Sequence, residues 1–200
     1  MNARTGTGLL SIAMVSVFVC SVRAQQAESQ EGEPPAIESR VLATNRTSTL
    51  EEELNEAAEA GFRLAALMGG ETAIGGNEVV AVVTRNAEST AQYNYRLLAT
   101  NRTSTMAEEL REAADVGFEY KGQTIFKTMF GGQEVVVILE RNRESTTRGD
   151  YRLLATSRTS TLEKELLDAG ASGYVIVGMT VAQTAMGGRE LVAIVRRDAQ

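Results

Sequence analysis

Three times along the chain, apolar and polar positions follow one order. A short extended run comes first, such as Tyr95 to Thr100, in which Leu and Ala or Thr alternate loosely, as in a strand with one buried face. An amphipathic segment follows. Leu50, Leu54, Ala57 and Ala58 fall on one stripe at helical spacing, which predicts a helix. Gly61 marks its end, because glycine accepts the left-handed turn after a helix. Phe62 opens a second strand toward Ile74, and Gly75-Gly76 is a natural two-residue hairpin turn. The third strand, Val79 to Val83, is apolar at both even and odd positions. Such a run is most simply buried on both faces.

The same grammar returns at a constant offset of 56 residues, without a gap. Arg40-Val41-Leu42-Ala43-Thr44 becomes Arg96-Leu97-Leu98-Ala99-Thr100 and then Arg152-Leu153-Leu154-Ala155-Thr156. Gly61, Gly117 and Gly173 correspond, as do the pairs Gly75-Gly76, Gly131-Gly132 and Gly187-Gly188. This is an internal duplication carried twice. The units run over 39–86, 94–142 and 150–198. The expected class is α+β: three tandem β-α-β-β repeats, each a three-stranded antiparallel-type sheet with one helix. The apolar run places the third strand at the centre of each sheet. One helix covers only one face of such a sheet, and a lone unit of this size is near the limit for a stable core. The copies are therefore expected to pack together, side by side or around a pseudo-threefold.

Helix starts are signalled by hydroxyl residues. Thr49-Leu50-Glu51-Glu52 fits a cap with Glu at the third helical position, and Glu51 to Glu53 suit the positive end of the helix dipole. Thr105-Met106-Ala107-Glu108 repeats the arrangement, whereas Lys164 follows Thr161.

A strand, then Leu-x-x-x-Leu-Asn, then Gly-aromatic, then a hairpin ending in Arg resembles a family of short bacterial β-α-β-β domains of unknown function. That family carries a Leu-Asn…Gly-Trp signature. The matching stretches are Leu50 to Phe62 and Val79 to Arg85, with counterparts in every copy. Phe62, Phe118 and Tyr174 replace the Trp. The Asn survives as Asn55, with Arg111 and Leu167 in the other copies. The resemblance implies a fold and brings no activity.

The front of the chain reads differently. Arg4, the apolar run Leu9 to Val19 and Val22-Arg23-Ala24 read as a signal peptide over 1–24, cut before Gln25. An uncleaved anchor is the alternative. Cys20 also permits a lipid anchor, although Val19 stands where such signals want a small residue. Residues 25–38 are polar and acidic, hold both prolines, and read as a flexible lead. The expected location is exported, periplasmic or extracellular, without stable membrane insertion once the signal is removed. Removal of Arg4 and Arg23 takes the net charge from -6 to -8, which argues against nonspecific nucleic-acid binding. It also removes Cys20 and leaves a chain with neither His nor Cys. Thiol nucleophiles, Ser-His-Asp catalysis and the usual metal ligands are then absent, and no cofactor or metal is expected.

The best candidate site repeats at the strand-to-helix junction: Arg46-Thr47-Ser48, Arg102-Thr103-Ser104 and Arg158-Thr159-Ser160. A guanidinium, hydroxyls and free backbone N–H groups could hold a phosphate, sulfate or carboxylate. The competing reading is helix capping, with each Arg paired to a nearby Glu. The glycine pairs precede Asn77, Gln133 and Arg189, so no phosphate-binding loop is present. Glu78, Glu134 and Glu190 follow the hairpin turns and could bind a cation or act as a base; pairing across the sheet is the plainer role. Asn45-Arg46-Thr47 and Asn101-Arg102-Thr103 match the glycosylation acceptor pattern. In the middle copy, Tyr120, Lys121, Phe126, Lys127 and Phe130 form either an aromatic-basic contact surface or a variant of the core.

The expected function is a noncatalytic exported binding or interaction module, whose partner is an unknown protein or a small anionic ligand, with self-association open. A binder of a small anion at the helix N-termini and an enzyme using Glu and Arg chemistry are the alternatives.

Overall fold

Each helix ends where glycine lets the chain reverse. In the computed structural model, Gly61, Gly117 and Gly173 adopt φ of 84°, 87° and 80°. The Gly61 N–H reaches the carbonyl of Ala58, and the Phe62 N–H reaches that of Ala57. The same pair of bonds closes the other two helices, giving three Schellman turns. The arginine at the end of each third strand completes the cap. Arg85, Arg141 and Arg197 donate to the carbonyls of Ala60, Val116 and Ser172 at 2.9, 3.2 and 3.4 Å. The same side chains lie over Phe62, Phe118 and Tyr174. The Gly-aromatic and the strand-ending Arg thus form one device that folds helix back onto sheet.

The structure describes residues 36–72, 76–87, 89–127, 132–183 and 188–198. The expected signal over 1–24 lies outside them, as do Gly75, Gly131 and Gly187 of the hairpin turns and Phe130. The elements are β1 (Ile37–Thr44), α1 (Thr47–Glu59), β2 (Arg63–Thr72), β3 (Gly76–Asn86), β4 (Tyr93–Thr100), α2 (Thr103–Asp115), β5 (Glu119–Lys127), β6 (Gln133–Asn142), β7 (Gly149–Thr156), α3 (Thr159–Ala171), β8 (Val175–Gln183) and β9 (Arg189–Asp198). β1 begins at Ile37, inside the stretch read as flexible lead.

The fold is α+β, with three antiparallel sheets ordered β1-β3-β2, β4-β6-β5 and β7-β9-β8. The third strand of every unit is central, as its apolar run requires. Each second strand carries a bulge at the same place: between Leu64 and Ala66, Tyr120 and Gly122, and Ile176 and Gly178.

The units stack side by side rather than around a threefold. α1 packs on β1 and β3 of its own sheet and on β4 of the next; α2 does the same with β4 and β7. On the far side of each layer the second strands touch directly, β2 on β5 and β5 on β8. Gly69 permits this approach, because a Cβ there would meet the Ile125 carbonyl. α1 and α2 are therefore each a wedge on one side of a pair of sheets.

Two core clusters each span two layers, and a smaller one around Ala169, Tyr174 and Val195 lies within the third. One joins Leu50, Leu54, Phe62 and Val79 to Phe126, Val136 and Ile138. The other joins Met106, Leu110, Val135 and Val137 to Val192 and Ile194. Burial of β6 is continuous from Val135 to Glu140, because it is covered on both faces. β3 has the same apolar sequence but alternates: Val79, Ala81 and Val83 are buried, whereas Val80 and Val82 are only partly so. The expectation of two buried faces thus holds for the middle layer and fails for the first, whose outer face has no layer on it among the described residues.

Candidate functional site

The strand-to-helix loops differ from the sequence expectation in where the helix starts. Arg46, Arg102 and Arg158 are the N-cap residues, and no side chain caps any of the three helices. Thr47-Ser48-Thr49 is the first helical turn, not the approach to it. Glu51 to Glu53 consequently sit in the second turn, where the dipole has faded. The loop is shaped one residue earlier: the Arg46, Arg102 and Arg158 N–H groups donate to Thr44, Thr100 and Thr156 hydroxyls at 3.2, 3.1 and 3.3 Å. Those turns hold the three arginines in exposed positions. Among the described residues, no hydrogen bond or ion pair engages their guanidinium groups. The expected pairing of each Arg with a nearby Glu does not occur. Ser48, Ser104 and Ser160 are exposed, Thr159 is exposed, and Thr47 and Thr103 are half-buried. The loops occupy equivalent places in successive layers, and none contributes a residue to another.

The other candidates disperse. Glu78 accepts a hydrogen bond from the Thr72 hydroxyl across the hairpin. No group of three or more acidic residues suited to a metal occurs among the described residues. Glu53, Glu109 and Glu165, again one per layer, each turn one carboxylate oxygen into a buried setting with no partner among the described residues. A shallow groove of about 800 Å³ is lined by two carboxylates, Glu38 and Glu59, and by Arg85, which already pairs with Glu38 at 2.5 Å.

Among the described aromatic-basic residues of the middle copy, Tyr120 and Phe126 pack in the core. Phe126 is buried between the first two layers, Tyr120 packs in the cluster shared with the third, and Lys121 lies 3.6 Å from Glu140. Lys127 is exposed, and Phe130 lies outside the described residues.

The polar chemistry that sequence reasoning missed lies between layers. At the first two bulges, a tyrosine of the next layer accepts from a backbone N–H. The Leu64 N–H donates to the Tyr95 hydroxyl at 2.8 Å, and the Tyr120 N–H donates to the Tyr151 hydroxyl at 2.6 Å. Tyr95 in turn donates to Glu140 at 2.7 Å, and Arg63 meets that carboxylate in a fork at 2.6 and 3.1 Å. Burial pushes the Tyr95 hydroxyl far above the ordinary 10.0, Tyr120 up to about 12, and Tyr151 upward as well. Asn55 of α1 holds the outer edge of β4 by a reciprocal pair with the Tyr95 backbone, both at 2.9 Å, and Glu51 accepts from the Leu97 N–H at 2.7 Å. The signal for Asn55 was the Leu-Asn element itself. Nothing marked Glu140, since Thr84 and Arg196 stand at its place in the other copies.

No described helix is long and apolar enough to cross a membrane. No family model, curated protein or solved structure matches the chain.

Proposed function

We propose that the protein is a noncatalytic exported interaction module: a stack of three layers that displays the same basic loop three times. The observation that carries this reading is how the polar groups are divided. The hydroxyl, carboxylate and guanidinium groups that come close together are occupied with one another: Tyr95, Glu140 and Arg63 in joining two layers, and Tyr174, Asp150 and Arg197 within the third. Arg46, Arg102 and Arg158, whose guanidinium groups make no bond among the described residues, stand singly in three equivalent exposed loops. Single cations repeated along a rigid stack suit recognition of an extended or repeated anionic partner more than they suit turnover of a small substrate. Export rests on the segment over 1–24.

The test is native mass spectrometry of the protein purified from its host, beside a variant carrying Arg46→Ala, Arg102→Ala and Arg158→Ala. The expected result is a chain beginning at Gln25 that retains a partner, and a variant that folds equally but retains none. Retention unchanged by the triple substitution would overturn the role of the loops.

A second reading is favoured by one feature: the first-turn N–H groups of all three helices lack a side-chain cap. Each loop could then take a small anion such as phosphate or sulfate independently. Thermal stabilisation by either ion, lost stepwise as each arginine is removed, separates this from recognition of one extended partner.

A further inference from the structure

We infer that the stack joins end to end with a second copy of itself, the distal face of the third layer of one copy seating on the outer face of the first layer of another. Both faces are apolar and open among the described residues. On the first, Ile37, Val41 and Met68 are 68%, 67% and 59% exposed. On the third, Leu167, Ile176, Met179 and Val181 are exposed by 49–68%. These positions are the ones that meet inside the chain. Val41, Val80 and Val82 correspond to Leu97, Val136 and Ile138, which face α1, and to Leu153, Val192 and Ile194, which face α2. Ile176 and Val181 correspond to Tyr120 and Ile125, which receive the third layer. The proposed contact therefore continues an interface that the molecule already forms twice.

Charge points to the same occupant. At each internal joint an ion pair bridges the layers: Arg63 with Glu140 at 2.6 Å and Glu119 with Arg196 at 3.1 Å. At the two open faces the corresponding residues are Val175 and Thr84. Joining those faces leaves no charge at this position unpaired, and neither face calls for a charged partner there. Ser39 stands where Tyr95 and Tyr151 supply the interlayer hydroxyl. The end-to-end joint is accordingly weaker than the internal ones and depends on concentration. Because the two faces differ, the contact is heterologous and does not stop at a dimer by symmetry. It uses neither the basic loops nor their ligand, so its failure would leave the proposed function standing.

Sedimentation of the protein purified from its host, over a wide concentration range, tests this. Val41→Lys blocks one face and Met179→Lys the other, and both sites are exposed enough to leave folding intact. The average mass of the unaltered chain should more than double with concentration, while each variant alone stays monomeric. An equimolar mixture of the two variants should form a dimer and stop there, since one open face remains on each. An unaltered chain that stays monomeric throughout would overturn the inference. So would either variant dimerising alone, which indicates like faces meeting. Association that begins only after residues 25–35 are removed would identify the lead as the occupant, with the same consequence.

Discussion

The joint between the first and second layers and the joint between the second and third have the same backbone plan but different chemistry. Both use a bulge N–H closed by a tyrosine, and both set valine and isoleucine of a central strand against the preceding helix. The first joint adds much more. Phe126 fills its core where the second has Ala182, Glu140 gathers Tyr95, Arg63 and Lys121, and Asn55 and Glu51 hold the β4 edge. At the second joint Arg111 and Ala107 occupy the last two positions, and no α2 side chain bonds the β7 backbone among the described residues. The shared features are enough to make a layer dock. The added features decide which layer docks where.

The deepest difference is apolar. Phe126→Ala opens a cavity at the first joint, and by the usual cost of large-to-small core changes it should destabilise the protein by about 3–4 kcal/mol in urea unfolding. Ala182→Gly, its counterpart at the second joint, removes one methyl and should cost about 1 kcal/mol. Equal losses would mean that the two joints depend equally on this position, and the comparison would fail.

The tyrosines come next. Tyr95→Phe deprives Leu64 of its acceptor and Glu140 of a donor in a buried setting, which should cost about 2 kcal/mol. Tyr151→Phe removes the hydroxyl that accepts from the Tyr120 N–H and should cost about half as much. The same residues set a pH dependence. Their folded-state pKa values lie above the ordinary 10.0, so the folded protein holds these protons more tightly than the unfolded chain. Stability from this source is complete below pH 10 and falls as pH rises from there through about 12, the value for Tyr120, toward the higher one for Tyr95. Thermal unfolding followed between pH 8 and 12 should show this decline, and Tyr95→Phe should make it shallower.

How much of this was legible in the chain follows from what repeats. The architecture was legible because the apolar periods, the Gly-aromatic turn and the terminal Arg recur at one spacing, and local grammar repeated three times leaves few alternatives. The helix start was not, because Thr and Ser suit a cap and a first turn alike, and only Thr44 accepting from Arg46 separates the two. Phe126 and Tyr120 could be read either as core or as a contact surface, because a strand between two layers buries both parities, so its variation carries no mark of which side is wet. Glu140 was hidden for a different reason. Its partners are 45 and 77 residues away, in another strand and another layer, and its counterparts differ in charge. The basic loops were legible as loops, but whether their arginines were spent on glutamates depended on where the helix began.

The smallest effect bears most directly on the order of the layers. Arg63–Glu140 and Glu119–Arg196 are the same contact with the charges exchanged. A first layer docked on a third would bring Arg63 to Arg196, and two second layers would bring Glu119 to Glu140; both oppose like charges. Arg63→Glu imitates such a mismatch and should cost about 1 kcal/mol, a figure held down because the Arg63 side chain is 48% exposed. Adding Glu140→Arg restores opposite charges but leaves Lys121 beside a new cation. Adding Lys121→Val, the residue found at Val177 in the third layer, removes that conflict and recreates the second joint in the first. The triple variant should therefore recover most of the loss caused by Arg63→Glu. If it remains as destabilised as the single variant, the exchange of charge contributes nothing to layer order, and the burial of Glu140 beside Tyr95 must be what distinguishes the joints.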